Sequence, residues 1–291
     1  MKTFDKKWLM LAGLAIVWGS SFILMKKALI TLTPIQVGAL RVIIAGFVLL
    51  MFVGRKVLLI KRRHFIPLFI NAMAGTFVPA FLFTYAIEHI DSGIVAILNS
   101  LTPLNTFLLG VLFFGFVFKK KQVFGVFLGM FATVFLIMQS ARLNPLDNYA
   151  YAWLIVLASI GYAVNVNVLK KYLSDLDAVA IAVGNFCIAI VPAIIVLIQS
   201  GFFEIDFNQS AVLPSLGYVA ILAVIGTALA KIFFNRLVQL SSPLFASSVT
   251  YLIPVVALLW GLADGERIHL PQIVAGLFIL IAVYLVNQNY K

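Results

Sequence analysis

Two cations stand inside long apolar runs: Arg41 near the middle of one, Lys231 in the later part of another. A charge at membrane depth is unfavourable, so such residues are functional candidates by default. No Asp or Glu lies deep in any run. The bonds open to Arg41 and Lys231 are therefore to helix carbonyls, to water in a cavity, or to an anionic group of a substrate. For Lys231 a snorkelling stem is the plainer reading. Thr227, Lys231 and Asn235, however, recur every fourth residue and share one helical face. Further polar positions fall on other runs: Trp18 and Ser21, Asn71, Asn99, Tyr162 and Asn165, and Tyr251. Taken singly, each polar residue is a helix–helix hydrogen bond worth about 1 kcal/mol or less. Taken together, stripes on so many runs predict one polar lumen. Pro103 and Pro254 free backbone carbonyls in the middle of two runs and are candidate hinges.

The chemistry of catalysis is missing from this pattern. His64, His89 and His269 are scattered, with no acidic metal motif and no nucleophile–base pair. No glycine-rich phosphate loop is present. The chain is expected to be no enzyme and to hold no cofactor or metal.

The elements that position these residues follow from composition. Of 291 residues, 63% are hydrophobic and 11% charged, with a mean hydropathy of +1.11. Soluble domains carry about 25% charged residues. The apolar runs are long enough to cross a hydrocarbon core of about 30 Å, where only helices satisfy their own backbone. The predicted spans are 8–25, 34–52, 65–87, 92–117, 122–139, 149–169, 178–200, 212–238, 242–262 and 270–288. The first is read as an uncleaved span, because others follow it and it lacks a clear cleavage site. The net charge of +11 does not indicate nucleic acid, because the charges lie between apolar runs. With a cytoplasmic N-terminus, fifteen Lys and Arg fall inside and four fall outside, namely Lys26, Lys27, Arg142 and Arg267. That bias places both termini in the cytoplasm. The single cysteine, Cys187, lies within a span and allows no intrachain disulfide.

The chain also repeats itself. Gly75-Thr76, Phe83, Pro103 and Gly125 recur 151 residues later as Gly226-Thr227, Phe234, Pro254 and Gly276. An offset of 144 aligns the first and sixth spans, Trp18 with Tyr162 and Lys26-Lys27 with Lys170-Lys171. The unit is thus five helices, residues 1–145 and 146–291. Five is odd, so the second copy enters from the opposite side, a plan that places a site near the midplane between halves. Spans five and ten carry little polarity and are expected as outer supports or a homodimer contact; Gly125 and Gly129 form a small-residue motif there.

With these residues in view, the chain resembles the EamA-type ten-helix family of the drug/metabolite transporter superfamily. The resemblance rests on Trp18-Gly19-Ser20, on the run from Arg41 to Ala45, on the two proline helices, and on Gly261 to Gly276 with Gly265-Glu266-Arg267. Lys119-Lys120-Lys121 departs from it, standing where a Gly-Glu-Arg-like turn is usual. The resemblance implies export or exchange of small metabolites, often amino acids, through a central cavity. The expectation is an all-α integral membrane protein of ten transmembrane helices in two inverted repeats. It is read as a secondary transporter in a bacterial inner membrane, working by alternating access. Its substrate is a small anionic or zwitterionic molecule. An exchanger of phosphorylated or nucleotide-linked anions is the alternative; a membrane-embedded enzyme or structural bundle is the rival class.

Overall fold

The computed structural model describes residues 3–90, 95–96, 98–141, 149–263 and 270–287, and every regular element among them is helical. Chain order gives α1 (Thr3–Ala28), α2 (Pro34–Val53), α3 (Arg62–His89), α4 (Asn99–Phe114) and α5 (Lys120–Ala141). Then come α6 (Ala152–Tyr172), α7 (Ala178–Gln199) and α8 (Val212–Leu240). Helix α9 runs Pro243–Ser247 and, past Ser248, Val249–Ala263; α10 is Leu270–Asn287. Among the described residues, α1, α2, α3, α6, α7 and α8 are long and apolar enough to cross a membrane, and α4 and α9 are shorter apolar helices. Large apolar side chains such as Leu9, Phe47, Met51, Phe69, Leu112 and Phe131 are exposed. A lipid solvent makes that arrangement stable.

Local sequence sets the helix ends. Thr33 caps α2 by accepting from Gln36 N–H, Gln36 reaches back to the Thr33 N–H, and Pro34 opens the helix. Asp177 caps α7 in the same way, accepting from Val179 and Ala180. The expected fourth span, 92–117, ends earlier: α4 stops at Phe114 because Gly115 adopts φ 68, a left-handed cap. Pro103 does not sit mid-helix either. It occupies the first turn of the α-helical part of α4, just after a 3₁₀ turn at Asn99–Leu101, while Pro254 lies inside α9. Gly265-Glu266-Arg267 and Arg142 lie outside the described residues.

The helices pack in matched pairs. α2 packs on α7 and α5 on α10; α1 packs on α9 as α4 does on α6; α1 packs on α8 as α3 does on α6. The α2–α7 contact is a dense apolar seam of Val42, Ala45 and Leu49 against Ala182, Phe186 and Ala189. In the fifth span, expected as an outer support or dimer contact, Gly125 faces Ala282 and Val286 of α10, while Gly129 faces the Tyr251 ring of α9. The small-residue motif is thus used within one chain.

One end of the bundle is tied by charge. Asp175, between α6 and α7, pairs with Arg63 and accepts from His64 Nε2 at 3.3 Å, and Asp177 lies 3.8 Å from Lys56. Lys170 donates to the carbonyls of Val238, Gln239 and Ser241 at the end of α8. Burial works to raise the Asp175 pKa. The His64 hydrogen bond and the Arg63 charge outweigh it, so the carboxyl is held below its ordinary value.

A cavity between two widened helical turns

The repeated Gly-Thr pair is where the backbone departs from α-helix in both halves. Met73–Phe77 in α3 and Val224–Leu229 in α8 are π-helical turns. Such a turn adds a residue, loosens the i→i−4 ladder, and occurs often at functional sites. Glycine is required at both for close approach. A Cβ on Gly75 would overlap the Asn165 amide of α6, and one on Gly226 would lie 2.7 Å from Ser21 Oγ of α1. Ser21 and Asn165 are themselves matched by the offset of 144.

Both glycine carbonyls are bound from across the bundle, by different groups. Trp18 Nε1 of α1 donates to Gly226 O at 3.0 Å. Lys231 Nζ of α8 donates to Gly75 O at 2.9 Å. Arg41 of α2 donates through Nε to Thr227 Oγ1 at 2.6 Å, and the Thr227 hydroxyl donates to Leu222 O at 3.0 Å, five residues back. Arg41 Nη1 reaches the Met25 sulfur at 3.8 Å, a weak acceptor. Thr76, the counterpart of Thr227, has no hydrogen-bond partner for its buried hydroxyl among the described residues.

These groups wall a cavity of about 90 Å³. Of the residues expected in a lumen, Trp18, Ser21, Arg41, Asn99, Tyr162, Asn165, Thr227 and Lys231 lie on its wall. Snorkelling does not describe Lys231, which is 7% exposed and bonded across the bundle. Asn71, Asn235 and Tyr251 are corrections. Asn71 donates to Asn165 O and accepts from Asn185, Asn235 donates to Ala178 O, and the Tyr251 hydroxyl donates to Val126 O. Each is buried and bonds a neighbouring helix, and none of the three is part of the wall itself. The hinge candidates Pro103 and Pro254 also lie off it.

Sequence reasoning missed several wall residues. Thr76, Met25 and Ser247 line the cavity, as do Phe22, Phe83 and Phe234, which give it an aromatic side. The signal for Thr76 was available, since it repeats as Thr227. Among the described residues no group of three or more His, Cys, Asp or Glu is placed to hold a metal ion.

Comparison with known proteins fits this geometry. The model of the EamA-like transporter family matches residues 6–138 and, a second time, 150–288. The chain belongs to the EamA-like transporter family. It is a multi-pass membrane transporter of the drug/metabolite superfamily, as its resemblance implied. The inner membrane transporter YedA of Escherichia coli K12 is 29% identical over 290 residues, covering 95% of this chain and 89% of YedA. A transporter of Archaeoglobus fulgidus is 23% identical, covering 98% of this chain and 99% of its own. The protein PecM of Dickeya dadantii is 26% identical, covering 94% and 89%. A solved crystal structure shares the fold with a TM-score of 0.73 at 17% identity, over 97% of this chain and 96% of the other.

Proposed function

We infer that this EamA transporter moves small metabolites, of the size of amino acids, by alternating access through the cavity between α3 and α8. The observation that carries this reading is the pair of π-helical turns facing one largely apolar cavity with a few polar side chains on its wall, at matched positions in the two halves. A water occupies about 10–15 Å³ by this measure, so the cavity has the room of several waters, enough for a small solute. Ten membrane-crossing helices in two inverted repeats, 1–145 and 146–291, account for the matched packing pairs and the double family match. Rocking of one half against the other would open the cavity to each side in turn. The basic residues favour cytoplasmic termini, and YedA favours an inner-membrane location. Lys231, Thr227 and Arg41 are the contacts to the substrate, with Trp18, Ser21, Asn99, Tyr162 and Asn165 shaping the wall. Asn71, Asn235 and Tyr251 hold the helices around it.

The test is sided labelling. Thr76→Cys in a Cys187→Ser background should react with a membrane-impermeant thiol reagent from at least one face, and substrate should change the rate. A cysteine that stays unreactive from both faces under all conditions would contradict a transport path here. Orientation is checked by alkaline phosphatase fused after Asp175, expected inactive, and after Asn208, expected active.

A further inference from the structure

Resting on the reading of this cavity as the transport path, we propose that it takes a net-negative small solute. The solute's oxyanion group is held jointly by Lys231 and Arg41, and the protein exchanges one such anion for another rather than returning empty.

The two cations come from different helices and line the same cavity: Arg41 of α2 donates to Thr227 of α8, and Lys231 stands four residues beyond Thr227 on α8. Among the described residues, no wall residue is Asp or Glu. Their present partners are all neutral and use only part of their donors. Lys231 spends one of three N–H on Gly75 O, and Arg41 has a thioether at Nη1 and no acceptor at Nη2 among the described residues. A carboxylate or phosphate oxygen is the group that completes both, through charge-assisted bonds.

The repeat separates this feature from the architecture. The offset of 144 maps Arg41 onto Asn185, and that of 151 maps Lys231 back onto Ala80. The two counterpart positions are therefore neutral. The π turns, the glycines and the helix caps keep the symmetry; the two charges break it, so closing the bundle does not require them. A zwitterion fits poorly: its ammonium would meet neutral oxygens such as Thr76 Oγ1, and the wall would keep both positive charges. An anion neutralises them. Without one, the closed intermediate must bury two uncompensated charges in a low-dielectric space, and the empty carrier crosses slowly.

The test uses the purified full chain in proteoliposomes. Vesicles are preloaded with succinate, glycerol 3-phosphate, alanine or xylose, or left empty, and entry of each labelled solute is followed. At least one of the two anions should enter anion-loaded vesicles about tenfold faster than empty ones, and Lys231→Met should weaken its apparent affinity about tenfold, the loss of one charge-assisted hydrogen bond. Which anion wins separates a carboxylate from a phosphate site. Lys231→Arg should keep the preference for anions in part, and the elution profile of each variant checks its fold. Alanine exchanging as fast as the anions, or equal entry into loaded and empty vesicles, overturns the proposal and leaves the transport path standing. If neither anion enters, the proposal fails; if in addition Thr76→Cys is unreachable from both faces, the path fails with it.

Discussion

The turn at Gly75-Thr76 and the turn at Gly226-Thr227 are the same backbone device in two electrostatic settings. At Gly226 the carbonyl is held by a neutral indole and the threonine is fully bonded, to Arg41 and Leu222. At Gly75 the carbonyl is held by an ammonium and the threonine hydroxyl has no partner among the described residues. An indole donor on Gly226 is a permanent brace. An ammonium on Gly75 is a bond that an arriving anion can take over, because the cation gains more from a charged acceptor than from a carbonyl. What the halves share is scaffold, and what differs is addressed to the solute.

The largest break in this comparison is steric. Gly75→Val drives a branched side chain into Asn165, with no flexible end to yield. Overpacking of this kind destabilises by about 1–3 kcal/mol and here should reach the top of that range. The expected result is a large fall in Tm and little protein in the membrane. Gly217→Ala, where a Cβ meets nothing within 4 Å, should be neutral. Next in size is Trp18→Phe. It removes the donor to Gly226 O and should destabilise by about 1–3 kcal/mol, the penalty for leaving a buried carbonyl unpaired. Thermal unfolding in detergent measures both, and Trp18→Phe should leave preference between solutes of different charge unchanged.

How much of this was legible beforehand differs from residue to residue. Arg41 and Lys231 stood out because a charge in an apolar run has few explanations. The Gly-Thr repeat was visible, yet its π turns were not, since hydropathy does not record a one-residue change in helical register. Thr76 was passed over because it carries no stripe of its own. Asn71, Asn235 and Tyr251 were placed in the lumen because periodicity gives a face of a helix and not what that face meets. All three meet a neighbour's backbone. Pro103 misled in a related way: it follows a 3₁₀ turn rather than breaking a helix midway, whereas Pro254 lies inside its helix as expected.

The smallest effect lies at the end of the bundle tied by Asp175. Asp175→Asn removes the carboxylate that faces Arg63 and His64, and being half exposed it should lower Tm only slightly. The pH dependence has a definite sign. The folded pKa is depressed below 3.8, so the contribution is present above that value and is lost as pH falls through the lower folded one. Wild type and Asp175→Asn should therefore differ in Tm at neutral pH and converge in strong acid. A difference that grows on acidification would break this part of the account.

The asymmetry itself rests on Lys231. The most direct measurement is initial transport rate against substrate concentration, for wild type and Lys231→Met, in vesicles matched for protein content. Lys231→Met unpairs the Gly75 carbonyl but also removes a buried charge whose partner is neutral; the two effects offset, so the fold should hold. The account predicts normal amounts of folded protein and an apparent substrate affinity about tenfold weaker or more. Superimposable curves would contradict it and would make Lys231 a brace on Gly75, no different in kind from Trp18 on Gly226.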